Sequence, residues 1–313
     1  MLGETKNQFS LTHAALSTGG HTRSKLLSVM KTSHTTSLVS LALLFSIKQM
    51  SATDLAIHRS GDQLVLSWPL ARTNDFYLQT STDLLAAGAW SNAADPVTNE
   101  DSLVVTSPIP NTSTFYRLRA WEVLFDGTNT ASFGSGTAFP SNSWFVTNGM
   151  LTSKVVANAG NLVTVNTYTN FELRLSWKCE TNGNSGIFYR AETNPEYQLF
   201  DDANVATSHY TDSIYLDPVN LMGGVYKYIP ATNKHLVPTG QWNDCRVIVQ
   251  GYHATHWLNG NVVVDYQIND PSFVNVFAQT ANAQIAFQNK GTGDHGVVPG
   301  VVHFGYIKIR RLP

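Results

Sequence analysis

Charge is scarce in this sequence. Only 13% of its 313 residues are Asp, Glu, Lys or Arg, about half the usual share. Lys and Arg number 20 against 22 Asp and Glu, for a formal net charge of −2, and no basic run occurs. Nucleic acids and anionic membranes need a concentrated basic face, so neither is an expected partner. Ser, Thr, Asn and Gly fill the polar surface instead, which points to a neutral, polar ligand. Cysteine is nearly absent. Cys179 and Cys245 lie in separate strand-like segments and can pair only if those strands are neighbours. Neither has metal-type Cys spacing, and two buried thiols fit at least as well as a bridge.

Other absences exclude chemistries. There is no Gly-x-Ser-x-Gly elbow, no phosphate-cradling loop and no dinucleotide fingerprint, so serine-nucleophile hydrolysis and nicotinamide chemistry lose ground. No internal repeat and no amphipathic helix of any length is evident. The apolar run "LVSLALLFSI" at 38–47 is too short to span a bilayer, so no integral membrane span is expected. It has signal-peptide length, and Met30-Lys31 upstream supplies a short basic region. Translation from Met30, cleavage near Ala52 and export to the periplasm or outside are therefore expected.

What is present is alternation. Hydrophobic residues make up 42% of the chain, enough for real cores, and from residue 53 onward the period is two. "DQLVLSW" (62–68), "DFYLQTS" (75–81), "SLVVTS" (102–107) and "TFYRLRA" (114–120) read as short strands separated by turn residues. Residues 1–52 are read as a leader and 53–120 as a small fibronectin-like β-sandwich module. Trp68, Tyr77, Trp90 and Tyr116 are assigned to its core rather than to a sugar platform. Residues 121–313 form a second all-β domain, with strands expected at 161–168, 171–179, 185–191, 196–201, 244–253, 254–258, 262–267, 283–289 and 303–311. Asn259-Gly260 between two apolar runs is the strongest hairpin signal, since both turn positions need positive φ. So many strands in one domain point to two large stacked sheets, a jelly-roll-like sandwich.

One stretch concentrates the scarce charges: "NSGIFYRAETNPEYQLFDD" at 184–202. Side chains alternate faces along a strand. If Ile187 and Leu199 mark the core face, then Asn184, Arg190, Glu196 and Gln198 converge on the other, with Asp201 and Asp202 at the strand end. Gly186 would leave room there for a ligand ring against bare backbone. A solvated cross-strand Arg–Glu pair would read the same way and contribute little. His253 and His256 are three apart, hence on opposite faces of a strand, which does not support a two-His metal site. Lys234 and His235 precede Trp242 in a loop able to reach a site. Asp294-His295 lies in the adaptable loop "NKGTGDHG".

These segments, taken in order, resemble the 3-keto-disaccharide hydrolase family. The landmarks are "LFDG" (124–127), "WFVTNGMLTS" (144–153), "LVTVNTYTNFELRLSWK" (162–178), "GNSGIFYR" (183–190), "EYQLFDD" (196–202), "TDSIY" (211–215) and "GQWNDCRVIVQGYHATHWLNGNVVVDY" (240–266). They cover most of residues 122–310. The resemblance implies a concanavalin/laminarinase-like jelly roll that acts on oligosaccharides or glycosides oxidised to a ketone at C3. A C3 carbonyl acidifies the C2 proton, a base removes it, the enolate expels the C1 substituent, and water adds back. Such a site needs a base, an oxyanion partner and an acid. By matched position, Glu196 or Asp201 would be acid and base, Arg190 the oxyanion partner and His256 a secondary proton-transfer group. Asn184, Gln198, Tyr215, Lys234, Lys290 and His295 would bind substrate. The family's Asp-His pair near the end reads Asn289-Lys290 here, or is displaced to Asp294-His295. A lectin-like, non-catalytic role on the same scaffold is the alternative. No cofactor is required by any motif; carboxylates near Asp201 could hold a divalent cation. Nothing in the sequence bears on oligomeric state.

Overall fold

The computed structural model describes residues 55–70, 76–85, 90–99, 102–134, 138–190, 194–202, 217–279, 281–293 and 298–313, together with the backbone of three upstream strands. These strands are β1 (Ser10–Ala14), β2 (Arg23–Met30) and β3 (Leu41–Ile47). The chain divides into two compact units, Met1–Trp121 with Pro313, and Glu122–Leu312.

In the first unit, β4 (Ala56–Ser60), β5 (Gln63–Pro69), β8 (Val97–Asn99) and β9 (Ser102–Pro108) form a sheet ordered β4-β5-β9-β8. The second sheet holds β6 (Phe76–Ser81), β7 (Ser91–Asn92) and β10 (Phe115–Ala120) in the order β1-β2-β3-β10-β6-β7. In it β3, which takes in most of the apolar run at 38–47, pairs antiparallel with β2 and parallel with β10. Leu64, Leu66 and Trp68 alternate inward from β5 to meet Leu78, Val105, Tyr116 and Leu118. Trp68, Tyr77, Trp90 and Tyr116 are all buried. Tyr77 packs edge-on against Trp121, and Trp90 carries the Arg117 guanidinium 4.1 Å from its ring centre. The four rings are core.

The second unit is a jelly-roll sandwich. Its large sheet comprises β12 (Trp144–Thr147), β13 (Met150–Ser153), β22 (Val302–Arg311), β15 (Phe171–Cys179), β18 (Asn243–Gln250), β19 (His253–Leu258) and β20 (Asn261–Gln267), in that spatial order, with β11 (Glu122–Phe125) also on β22. The small sheet runs β14 (Leu162–Val163), β21 (Ala286–Phe287), β16 (Asn184–Phe188), β17 (Glu196–Phe200). Strict alternation sorts the faces. From β15, Phe171, Leu173, Leu175 and Trp177 enter a core shared with Ile187, Tyr197, Leu199 and Phe287 of the small sheet. Glu172, Arg174, Ser176 and Lys178 point the other way. Sheet-on-sheet packing of this kind is what a period of two predicts once two apolar faces meet. Trp177 has no solvent exposure, and its loss to Ala would cost about 3–5 kcal/mol.

Two expected strands are shorter than the alternation suggested. The segment at 161–168 leaves regular pairing after Val163 because the Thr164 hydroxyl accepts from Ile285 N and donates to Asn166 O. Its partner at 283–289 shortens with it. Asn259 and Gly260 take φ of 47° and 84°, the left-handed pair that a two-residue hairpin demands. Cys179 and Cys245 are both free and buried. They sit on neighbouring strands, but Cys245 faces Leu175, four positions short of Cys179. Burial pushes both thiols up, that of Cys245 to about 12.

Candidate functional site

The site is built on the outward face of the small sheet. Register places Gly186 opposite Gln198, and Phe188 opposite both Glu196 and Ala286. Asn184, Gly186, Phe188, Glu196 and Gln198 therefore share the face away from the core, the arrangement expected of 184–198. Two buttresses hold β16: Ser185 donates its hydroxyl to Gln288 O, and Gln288 N donates to Gly186 O. On the other edge, Gly223 N donates to Gln198 O and Tyr226 N to Glu196 O, so the chain at 221–226 extends the sheet beyond β17.

Glu196 lies over Gly186. A Cβ at position 186 would stand 1.8 Å from Glu196 Oε1 and 2.6 Å from its carboxyl carbon. The space expected to receive a ligand ring is thus filled by the carboxyl group of this chain, and only glycine permits it. Glu196 is 3% exposed. Burial raises its carboxyl to about 8, against the opposing pull of Lys290 and Lys227. Such a group is poised to exchange a proton near neutrality. Beside it, Gln198 Nε2 donates to Asn220 O across 3.1 Å. Gln288 continues the face beyond Ala286, and its buried Oε1 has no hydrogen-bond partner among the described residues, an acceptor available to a hydroxyl.

The other charges of the 184–202 stretch go elsewhere. Arg190 donates from Nη2 to Gly251 O at the β18–β19 turn and sits 5.8 Å from the Tyr252 ring centre. It does not join Glu196, because the chain leaves β16 after Phe188. Asp201 is a loop anchor, accepting from Asn182 N and, at 2.6 Å, from the Thr239 hydroxyl. Asp202 pairs with Lys234 at 2.6 Å and accepts from Met222 N; burial nonetheless raises its carboxyl above the usual range. Lys234 is thereby tied to Asp202 rather than to the Glu196 face. Asp201 and Asp202 line a small, separate recess with Trp177, Cys179 and Thr239.

His256 is inside the sandwich, with no exposure. Its Nδ1 is 2.9 Å from Gly223 O and its Nε2 2.8 Å from the Tyr189 hydroxyl, which in turn meets Tyr266 Oη at 2.5 Å. Burial lowers the imidazole to about 4. Neutral, with both nitrogens engaged on the core side of the sheet, His256 cannot pass protons to the Glu196 face. His253 faces out, 2.6 Å from Asp265. Asn289, at the position where the family's Asp-His pair would begin, is buried. Its side-chain nitrogen donates to Ser143 O and Lys154 O, and its side-chain oxygen accepts from Gly291 N. Tyr215 and His295 lie outside the described residues.

Sequence reasoning missed Gln288 and Lys227. Gln288 reaches the face through long-range register, and the charge of Lys227 bears on Glu196 from the loop after β17; only the period-two relation of Gln288 to Lys290 was locally visible. Among the described residues no three His, Cys, Asp or Glu side chains are grouped to hold a metal ion, and no helix is long and apolar enough to cross a membrane.

A 3-keto-disaccharide hydrolase of Bacteroides thetaiotaomicron is 29% identical over 129 residues, which are 36% of this chain and 43% of that protein. The match thus spans less than half of that relative's length. A candidate glycosyl hydrolase of Parabacteroides distasonis, solved by crystallography, is 25% identical with a TM-score of 0.52, covering 62% of this chain and 94% of that one. A second candidate glycosyl hydrolase from the same species is 24% identical, with a TM-score of 0.48, covering 62% and 100%. Residues 120–310 match the 3-keto-alpha-glucoside-1,2-lyase-like domain, more than half of the sequence, and the chain belongs to that family.

Proposed function

We propose that this protein is a carbohydrate-active enzyme that cleaves 3-keto-glycosides, with Glu196 as its acid–base group. The observation that carries the reading is the Glu196 carboxyl, buried against bare backbone and raised to about 8. In its ionised form Glu196 takes the C2 proton. The electron pair moves onto the C3 oxygen as an enolate, whose charge the Lys290 and Lys227 ammonium groups, both of which already act on Glu196, would offset. The enolate re-forms its carbonyl as the C1–O bond breaks, and the departing oxygen takes a proton. Water then adds its hydroxyl at C1 while C2 regains a proton, so the net change is hydrolysis. Lys290 replaces Arg190 as the oxyanion partner in this scheme, since its charge bears on Glu196. Electrostatic stabilisation of a developing oxyanion is commonly the largest catalytic contribution. Gln198, Asn184 and Gln288 would position sugar hydroxyls. Export remains part of this proposal, motivated by the apolar run at 38–47 behind Met30-Lys31; the pairing of β3 with β10 speaks for a run that stays with the first unit rather than one that is cleaved.

A lectin-like reading is favoured by one observation: Glu196 is covered, and the Arg190, Asp201 and His256 side chains are committed to structural contacts. A chromogenic 3-keto-glucoside and its unoxidised counterpart separate the two. Release from the keto sugar alone, abolished in Glu196→Gln, establishes C2-proton chemistry. Sugar binding without release from either substrate establishes the lectin-like role instead.

A further inference from the structure

The outward face of the large sheet, on the other side of the sandwich from Glu196, carries open aromatic rings. Trp242 is 40% exposed and Phe145 39%. Register places the two at opposite ends of one row. Phe145 stands opposite Thr152, Thr152 opposite His303, and His303 opposite Lys178. Trp242 comes next, one residue before the Asn243 that pairs with Trp177, and its ring centre is 5.0 Å from Lys178 Nζ. Directly opposed residues share a face, and strands about 4.8 Å apart make the row about 19 Å long.

Trp242 is fixed where it stands. Its ring lies across Gly305, where a Cβ would be 3.1 Å from Cη2 and 3.2 Å from Cζ3. Gly305 falls in the stretch of β22 where register shifts against β15, between Leu175 and Trp177. Ahead of Trp242, Gly240 N donates to Cys179 O and ties the loop to the end of β15. Bare backbone thus lets an indole rest on the sheet while much of its surface stays open. An exposed ring that is already held loses little freedom on binding, and Trp residues in such positions dominate interaction energies.

Between the rings the row is polar. His303 Nδ1 and the Thr152 hydroxyl are 3.0 Å apart, which leaves Nε2 as the imidazole nitrogen for a ligand hydroxyl. Burial and then Lys178 lower the imidazole below its ordinary value, and Glu180 acts in the opposite sense. The Lys178 ammonium and the Glu180 carboxylate therefore offset one another beside a neutral ring. Lys154, at the Phe145 end, donates to Ser141 O. Such a row suits neither a strongly anionic ligand nor a continuous apolar protein surface. It matches the two chemistries of a neutral sugar, whose C–H faces pack on aromatic rings and whose hydroxyls bond ammonium and imidazole. A straight row on a sheet suits an extended glycan chain better than a helical one.

We propose that the outward face of the large sheet binds an extended, neutral glycan chain along Phe145, Thr152, His303, Lys178 and Trp242, with one pyranose seated on Trp242. The site anchors the protein to a polymeric glycan. It is separate from Glu196 and does not depend on the role of that residue.

Calorimetry on the full chain tests this with cellohexaose, an extended neutral chain, and maltohexaose, a helical one. Cellohexaose is expected to bind, and maltohexaose at least about tenfold more weakly. Trp242→Ala should weaken cellohexaose at least about tenfold and Phe145→Ala severalfold, while turnover of the chromogenic keto-glucoside stays unchanged in both. Glu196→Gln should keep the cellohexaose affinity, so failure of the catalytic reading and failure of this one are read separately. No binding of cellohexaose, equal binding of maltohexaose, or full affinity in either aromatic variant overturns the proposal. Affinity lost in Glu196→Gln would put the chain on the small sheet and also overturn it. A dimer seen by sedimentation and dissociated by Trp242→Ala would give the face to a second copy instead. Should Trp242→Ala lose its thermal transition, Phe145→Ala decides: retained affinity overturns the proposal, and a loss supports it.

Discussion

The carboxyl group of Glu196 occupies the volume that a side chain at residue 186 would need, its Oε1 1.8 Å from where the Cβ of residue 186 would stand. Gly186→Ala should therefore displace Glu196 rather than simply stiffen β16. Overpacking of this kind costs about 1–3 kcal/mol. Thermal unfolding should show that loss, and the pH–rate profile should shift with it as the carboxyl moves toward water. An unshifted profile with normal stability would mean that the carboxyl has another place to go.

Glu196 also sets a pH dependence of stability. Its folded value of about 8 lies above the ordinary carboxylate range, so the folded state holds the proton more tightly than the unfolded state. The associated stability is fully present in acid and is lost as pH rises from about 4.5 through about 8. Glu196→Gln removes that dependence. Between pH 5 and pH 9 the wild type should lose on the order of a few kcal/mol relative to the variant. Parallel denaturation curves at the two pH values would refute the assigned burial.

Lys290 is expected to matter to turnover more than to binding. Removing one stabilising group from a developing oxyanion commonly costs about 10²- to 10³-fold in kcat. Lys290→Met should show a loss of that order with a small change in KM for the keto-glucoside. A change confined to KM would reduce Lys290 to substrate binding.

His256 shows the opposite titration. Its folded value of about 4 lies below the ordinary 6.5, so the stability it contributes is present above pH 6.5 and lost as pH falls through 4. His256→Ala leaves the Tyr189 hydroxyl and Gly223 O short of a partner in the core. A cost of about 2–4 kcal/mol is expected, without loss of kcat per folded molecule. Lost kcat in a fully folded variant would return His256 to the reaction.

Glu172→Gln would leave the Arg174, Arg246 and Arg310 guanidiniums, all of which Glu172 contacts, without their shared charge. Breaking a buried charge cluster in this way costs about 3–5 kcal/mol. The melting temperature should fall, and added salt should restore part of the loss. Unchanged melting would show that the cations do not depend on Glu172.

Much of the architecture was legible in the order of residues alone, because alternation is a local property. The strand expected at 171–179 and the turn at Asn259-Gly260 are both where their residues indicated, since side-chain period and positive φ need only near neighbours. The shared face of Asn184, Glu196 and Gln198 was legible for the same reason. What local pattern could not determine is where a long side chain goes once the strand ends, or which strand lies beside which. Arg190 turns away to Gly251, His256 faces the core, and Gln288 arrives opposite Gly186 from a hundred residues downstream. The row on the large sheet that ends at Trp242 has no counterpart in any contiguous stretch, because cross-strand register alone brings Phe145, Thr152, His303 and Lys178 abreast. Faces follow from the order of residues along one strand; sites follow from the pairing between strands, which sequence separation conceals.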